Sequence, residues 1–377
     1  MKVLSDFDVS KTISFFKELG IYPKERNGYL YPNSEQASSV VKTLTMECKR
    51  LNVEFSFGET VKAVYEPFFT VITEARLINP EADKSGRNAD NKTRSKGKSI
   101  NEKKTGKEQE LITIKKSYYG KRLILAAGGC ASPKLGSDGS GFELARAFGH
   151  SIIKPLPALV QLRSPDKYCK SISGVRTEAA VKLLAEGRLL ACEKGELLFT
   201  DYGISGIPVL QVSRFAAKAL DDNKKVILRL DLLPSIDKEE LTLLIKERCS
   251  RYPDRNLEEI LVGLLNNKLA YTLIKEAGLD PGKPAKGFNQ REFDKLTVTI
   301  KEFNMNINGT NSFEEAQVCA GGIDTSELDA GSMESRLVKG LYFAGEILDV
   351  DGTCGGYNLQ WAWSSGYLAG RSAGQKA

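Results

Sequence analysis

The sequence predicts an α/β fold in which one domain is split around an inserted β-plus-α domain. Three observations predict it. The run 122–129, RLILAAGG, is continuously apolar and ends in glycines, as a strand buried on both faces does. From Pro155 the pattern changes, and Pro155, Pro157, Pro208 and Pro234 punctuate short strands. Near Glu314 the earlier style returns with AQVCAGGID, the strand GLYFAGEIL, a glycine turn and a C-terminal helix.

The elements follow in order. A first amphipathic helix runs from about Val9, carries Ile13, Phe15, Phe16 and Leu19, and ends at Gly20. A second opens near Asn33 and Ser34 and reaches about Leu51, with Val40, Val41, Leu44 and Cys48 on one face. Short β-rich runs occupy 53–57, 61–65, 68–75, 111–116 and 121–127. Residues 136–149 read as a helix. In the insertion, GELLFTDYG, KVILRLDLL and LTVTIKEFN read as strands around a helical stretch at 238–277. The expected domains are 1–156 joined with 314–377, and 157–313 as an inserted cap. No internal repeat of fixed period occurs.

Composition excludes several classes. Of 377 residues, 41% are hydrophobic and 27% charged, enough apolar material for a buried core and too much for a disordered chain. No stretch approaches the roughly 18 uninterrupted apolar residues of a membrane span, and the first residues lack the order of a signal peptide. The seven cysteines are scattered and form no CxxC pair, which argues against zinc ribbons and iron–sulfur ligation and suits a reducing cytoplasm. The one histidine, His150, leaves no His-rich metal site, and in RAFGHSII a packing or capping role fits it best.

Half of the net charge of +6 comes from 80–110, where nine Lys and Arg face six acids. That segment has no aromatic to stack on a base and reads as a flexible charged loop between strands. The expected partner is a small-molecule substrate, with no nucleic acid and no membrane.

The stretch with most chemistry is 340–370. Its strand ends in Gly345-Glu346, and a loop rich in Gly and Asp leads to Gly355-Gly356-Tyr357-Asn358-Leu359 at the start of a small-residue helix. Glycine pairs admit close backbone approach. A helix start presents unpaired N–H groups and a positive dipole end, which suits a ligand edge that gains negative charge, such as N1–C2=O of a flavin being reduced. Glu346 is placed to accept hydrogen bonds from ribityl or ribose hydroxyls. The same residues also read as a plain strand–turn–helix connection. Two further glycine pairs, Ala127-Gly128-Gly129 and Gly321-Gly322, follow apolar runs, and all three are expected to converge at the carboxyl edge of one parallel sheet.

These segments, with YPNSEQASSVV, GFELARAFGH and GELLFTDYGISGIPVLQ, resemble the flavoprotein family of NAD(P)/FAD-dependent oxidoreductases that includes aminoacetone oxidase-like and bile-acid-inducible-operon-type members. The resemblance spans nearly the whole chain. It implies an FAD/NAD(P)-binding Rossmann-like domain with a β-barrel-like plus helical insertion. It also implies that Ala127, Gly128 and Gly129 lie by the ribityl–pyrophosphate, which Gly345 and Glu346 hold. Gly321, Gly322 and Gly355 to Leu359 would frame the isoalloxazine, and Val61 would meet the adenine through its backbone. The family's opening strand–GxGxxG–helix unit has no counterpart here, so the domain reads as N-terminally incomplete.

Two functions follow from the resemblance. One is an oxidoreductase with FAD as cofactor, exchanging hydride between flavin N5 and a small molecule, with NAD(P)H as a transient reductant. The other is a truncated, non-catalytic remnant with weak or no FAD binding. No residue is singled out as the catalytic acid or base. Cys354, Trp361 and Trp363 are expected to pack rather than react.

Overall fold

The structure, a computed structural model, describes residues 2–78 and 111–375. The predicted loop at 80–110 lies outside the described residues. The chain forms two compact units, residues 1–12 with 124–377, and residues 13–123. Each is mixed α/β in content.

In the larger unit, a seven-stranded antiparallel sheet runs in the order Phe303–Ile307, Val226–Asp231, Arg176–Ala185, Arg188–Thr200, Gly203–Ser205, Leu162–Arg163 and Gly309–Thr310. Period-two burial sets its faces: Val226, Leu228 and Leu230 are buried, and the residues between them half-buried. Its central hairpin turns on Glu186-Gly187, both at positive φ, as a tight two-residue turn requires. The helix Ile207–Asp221 buries Val209, Val212 and Ala216, and the helices Lys238–Arg251, Asn267–Glu276 and Gln290–Lys301 close the same core.

One expectation fails here. LTVTIKEFN is not a strand: its first half ends the helix Gln290–Lys301, and only Phe303–Ile307 is extended. Asn289 and Glu292 form a reciprocal capping box that starts this helix, and Phe293, Leu296, Thr297 and Ile300 fall on one buried stripe. The β-branched residues are overridden by that cap and that spacing.

Beside this sheet lie two short pairs. Ile152–Ala158 runs antiparallel to Val318–Ile323, and Leu123–Leu125 pairs with Leu341–Phe343. Leu341, Tyr342 and Phe343 are all buried. In the other strand only Leu125 is buried, and Ile124 is 39% exposed, which corrects the reading of RLILAAGG as buried on both faces. The helix Tyr357–Gln375 packs over the pair, and the N-terminal helix Lys2–Asp6 packs on it in turn. Ser364 Oγ donates to Phe7 O at 2.7 Å, and the Phe7 and Tyr367 rings stack at 4.4 Å.

In the smaller unit, Glu59–Tyr65, Thr70–Ile78 and Leu111–Tyr119 form a three-stranded antiparallel sheet. A hairpin, Pro23–Arg26 with Tyr29–Pro32, precedes the helix Ser38–Arg50, none of whose residues is buried. That helix starts later than Asn33, because residues 33–36 turn out of the hairpin and Glu35 pairs with Lys24 and Arg26. Residues 53–57 form no strand, and the Phe55 and Phe57 rings stack on each other at 5.4 Å. Among the described residues no helix is long and apolar enough to cross a membrane.

Candidate functional site

The buried strand Leu341–Phe343 delivers residues 344–346 to a junction of three segments. Ala344 N donates to Leu125 O at 3.2 Å. Gly345, at φ +80°, donates its N–H to Ser365 Oγ at 2.9 Å and accepts from Trp361 Nε1 at 3.0 Å. The strand end is thus sewn to the first turns of the helix Tyr357–Gln375, and Trp361 is half-buried in doing so. Glu346 Oε1 accepts from Cys319 N at 2.8 Å, and Cys130 N donates to Cys319 Sγ at 2.9 Å. A Cβ at Gly129 would stand 3.0 Å from Cys319 Sγ and 3.1 Å from Glu346 Oε1. The segments 128–130, 319–322 and 345–346 therefore meet, although some 190 residues of chain separate the first two.

Burial sets the chemistry of this junction. It raises the Glu346 carboxyl above its ordinary range, against the hydrogen bond from Cys319 N. It pushes the Cys319 thiol up to about 12 and raises that of Cys130. Neither thiol is poised as a nucleophile.

The glycines divide into two groups. Gly321 and Gly322 do not end a strand of a parallel sheet, as expected, but lie inside the antiparallel strand Val318–Ile323. A Cβ at Gly322, whose φ is +144°, would meet Ile347 O and Leu348 C at 2.8 Å and Asp349 N at 2.9 Å. At Gly321 it would run into Lys154 O. Here the protein's own backbone fills the space. At Gly128 the nearest obstacle is Ser137 Oγ, 2.7 Å away, and Ala127 beside it is exposed. At Gly345 and Gly356, both at positive φ, a Cβ would meet nothing within 4 Å.

Gly355 and Gly356, at φ +118° and +96°, turn the chain into the helix Tyr357–Gln375. Tyr357 and Leu359, in its first turn, are exposed. Asn358 is tied to Gly352 by two bonds. Its Oδ1 accepts from Gly352 N at 2.8 Å and its Nδ2 donates to Gly352 O at 3.1 Å, which closes the 352–358 loop.

Two residues that sequence reasoning missed hold this loop from outside. Gln211 Oε1 accepts from Cys354 N at 3.1 Å. Arg214 donates to both the backbone O and the Oδ1 of Asp351, each at 3.0 Å. The Asp351 side chain is only 6% exposed, and its Oδ2 is buried with no hydrogen-bond partner. Burial raises its carboxyl, with Asp349 adding to the effect and Arg214 opposing it. A pairing across 137 residues leaves no local signal. Val61 belongs to the other unit, where it faces Thr73 across a β-bulge in the strand Glu59–Tyr65.

His150 sits in a Ser–His–Glu array: Nδ1 is 2.8 Å from Glu327 Oε2 and Nε2 is 2.8 Å from Ser335 Oγ. Ser335 Oγ also accepts from the backbone N–H of Leu337 and Val338 at 3.0 and 2.9 Å, and both His150 and Ser335 are buried. With its lone pairs taken by backbone donors, this hydroxyl is a brace and no nucleophile. His150→Ala is expected to cost about 2–4 kcal/mol, through a cavity and an orphaned hydroxyl. The midpoint of urea unfolding measures it, and a loss below about 0.5 kcal/mol would contradict the bracing role.

Strand ends, glycine turns and a helix start meet here, as they do in a Rossmann-type protein. Residues 76–372 match the HI0933-like protein Rossmann domain, and the chain belongs to that family. It is 38% identical, over 99% of its length and 82% of the relative's, to a 3-dehydro-bile acid delta(4,6)-reductase of Clostridium scindens. It is also 36% identical over 67% of its length to a ribosomal RNA dihydrouridine synthase of Haemophilus influenzae. With the Escherichia coli protein of the same name it shares 32% over 65%. The matches span 60% and 59% of those two relatives. The protein is an enzyme, an oxidoreductase of the FAD type.

Proposed function

We propose that the protein is an FAD-dependent reductase that delivers hydride to a carbon–carbon double bond conjugated with a carbonyl, in a small-molecule substrate. The observation that carries this is the open helix start at Tyr357, flanked by Gly345 and Gly356 with space beside both. Flavin would supply the hydride when bound. The first-turn N–H groups of Tyr357 to Leu359 would face the ring edge that gains charge. Glu346 Oε1 is taken by Cys319 N, so Oε2 would be the atom for ribityl hydroxyls. Gly322 would support the site by letting the 347–349 segment pack close, and Gly321 by admitting the backbone of 153–154.

The substrate class is supported by chemistry common to the relatives' names. A Δ4,6-3-oxo system and the C6=C5–C4=O unit of uracil are both double bonds conjugated with a carbonyl. The reductase relative matches over nearly the whole chain. NAD(P)H is the proposed reductant, and the seven free cysteines suit a reducing cytoplasm.

Titration with FAD is expected to quench flavin fluorescence with micromolar or tighter affinity and to give a yellow complex. NADPH should bleach that complex, and a conjugated steroid ketone should restore its colour. An affinity weaker than millimolar would favour the non-catalytic reading.

A second reading, an RNA base as substrate, has one observation of its own. Residues 13–123 carry 21 Lys and Arg against 14 acids, a net of +7, while the rest of the chain carries 33 against 34, a net of −1. Segregated positive charge is the footprint of a polyanion partner. Salt-dependent retention of ribosomal RNA on filters would favour this reading.

A further inference from the structure

We infer that Asp351 is a cofactor-facing residue whose Oδ2 accepts a hydrogen bond from the imide N3–H of the bound isoalloxazine. The inference rests on the flavin reading above and assigns one contact within it.

An unpartnered buried carboxylate oxygen is costly, so a chain that keeps one needs a donor from elsewhere. Oδ1 and the backbone oxygen of Asp351 are both taken by Arg214, and Oδ2 alone is left. Arg214 also holds the carboxylate in place, because its two bonds fix the residue at main chain and side chain together. Asp351 is one residue before Gly352, which the Asn358 side chain ties to the first turn of the helix Tyr357–Gln375.

The loop thus joins the helix start to the orphan oxygen. On an isoalloxazine the same adjacency exists: N1 and C2=O stand next to N3–H along one edge of the pyrimidine ring. A helix start facing N1 and C2=O and an acceptor beside it match that edge in sign and order. Oδ2 has no access to water. Ligand entry therefore requires the 349–356 loop to shift, and Gly352, Gly355 and Gly356 give it that freedom.

The test compares FAD with 3-methyl-FAD, which lacks the N3–H, by fluorescence quenching at equilibrium. The unaltered protein is expected to bind FAD at least about tenfold tighter than 3-methyl-FAD, the scale of a hydrogen bond to a charged group. Asp351→Asn keeps an acceptor for Arg214 but turns an N–H toward N3–H. It should weaken FAD binding by a similar factor and leave little difference between the two flavins. Equal affinity of the unaltered protein for both flavins would overturn the assignment and leave the flavin reading standing. Failure to bind either would overturn both. The comparison of flavins on the unaltered protein holds even where Asp351→Asn folds poorly.

Discussion

Gly322→Ala is expected to destabilise the protein by about 3–5 kcal/mol, enough to leave much of it unfolded at 37 °C. Two costs add. A left-handed φ strains an L side chain by roughly 1–3 kcal/mol, and φ here is +144°. The new methyl would also press on three backbone atoms of residues 347–349, none farther than 2.9 Å. Backbone cannot rotate aside as a side chain can, and overpacking of that kind costs about 1–3 kcal/mol more. Gly356→Ala separates the two terms, because it has a positive φ and open space. It should cost only the strain, about 1–2 kcal/mol. Urea unfolding of both variants decides the matter, and equal midpoints would show that close packing at Gly322 contributes nothing.

Arg214→Ala is the second large effect. It strips the partner from a carboxylate that is 6% exposed and leaves both its oxygens unpaired. Removing one member of a buried pair costs about 3–5 kcal/mol, and the one-third exposure of Arg214 brings the expectation to about 2–3 kcal/mol. The loss should depend on pH with a definite sign. Burial raises the folded carboxyl of Asp351 above its unfolded value, helped by Asp349 and opposed by Arg214. The folded state therefore holds its proton longer, and stability falls as pH climbs from the ordinary carboxyl range through the raised value. Without Arg214 that window widens upward. The deficit of the variant should be small in acid, where the carboxyl is protonated in both states, and complete at neutral pH. A deficit that is constant across pH would mean that Arg214 acts by packing alone.

The sequence carried the fold furthest where a local rule and a tertiary demand agreed. Val226–Asp231 alternates apolar and polar residues and becomes a half-buried strand, and the small-residue segment after Gly356 becomes the C-terminal helix. It misled where the two diverged. LTVTIKEFN has the β-branched residues of a strand, but an Asn–Glu cap that begins seven residues upstream and a buried stripe make it a helix end. At the site, glycine pairs were legible as places of close approach, but not what approaches. At Gly345 and Gly356 it is open space, and at Gly321 and Gly322 it is neighbouring backbone. Asn358 looked like a ligand contact and is spent on Gly352. Asp351 stood in the Gly- and Asp-rich loop with no role assigned, and only the arrival of Arg214 from the helix Ile207–Asp221 gives its buried carboxyl a partner.

The brace at His150 has a practical corollary. Because the chain contains one histidine, feeding labelled histidine to an auxotrophic host yields protein with a single imidazole spectrum. That ring touches Glu327 and Ser335 from opposite sides and meets Phe343 edge-on at 4.8 Å. Its two nitrogen shifts and the ring-current displacement of its protons would report, without any added probe, how firmly the 324–338 arch is seated on the strand Leu341–Phe343.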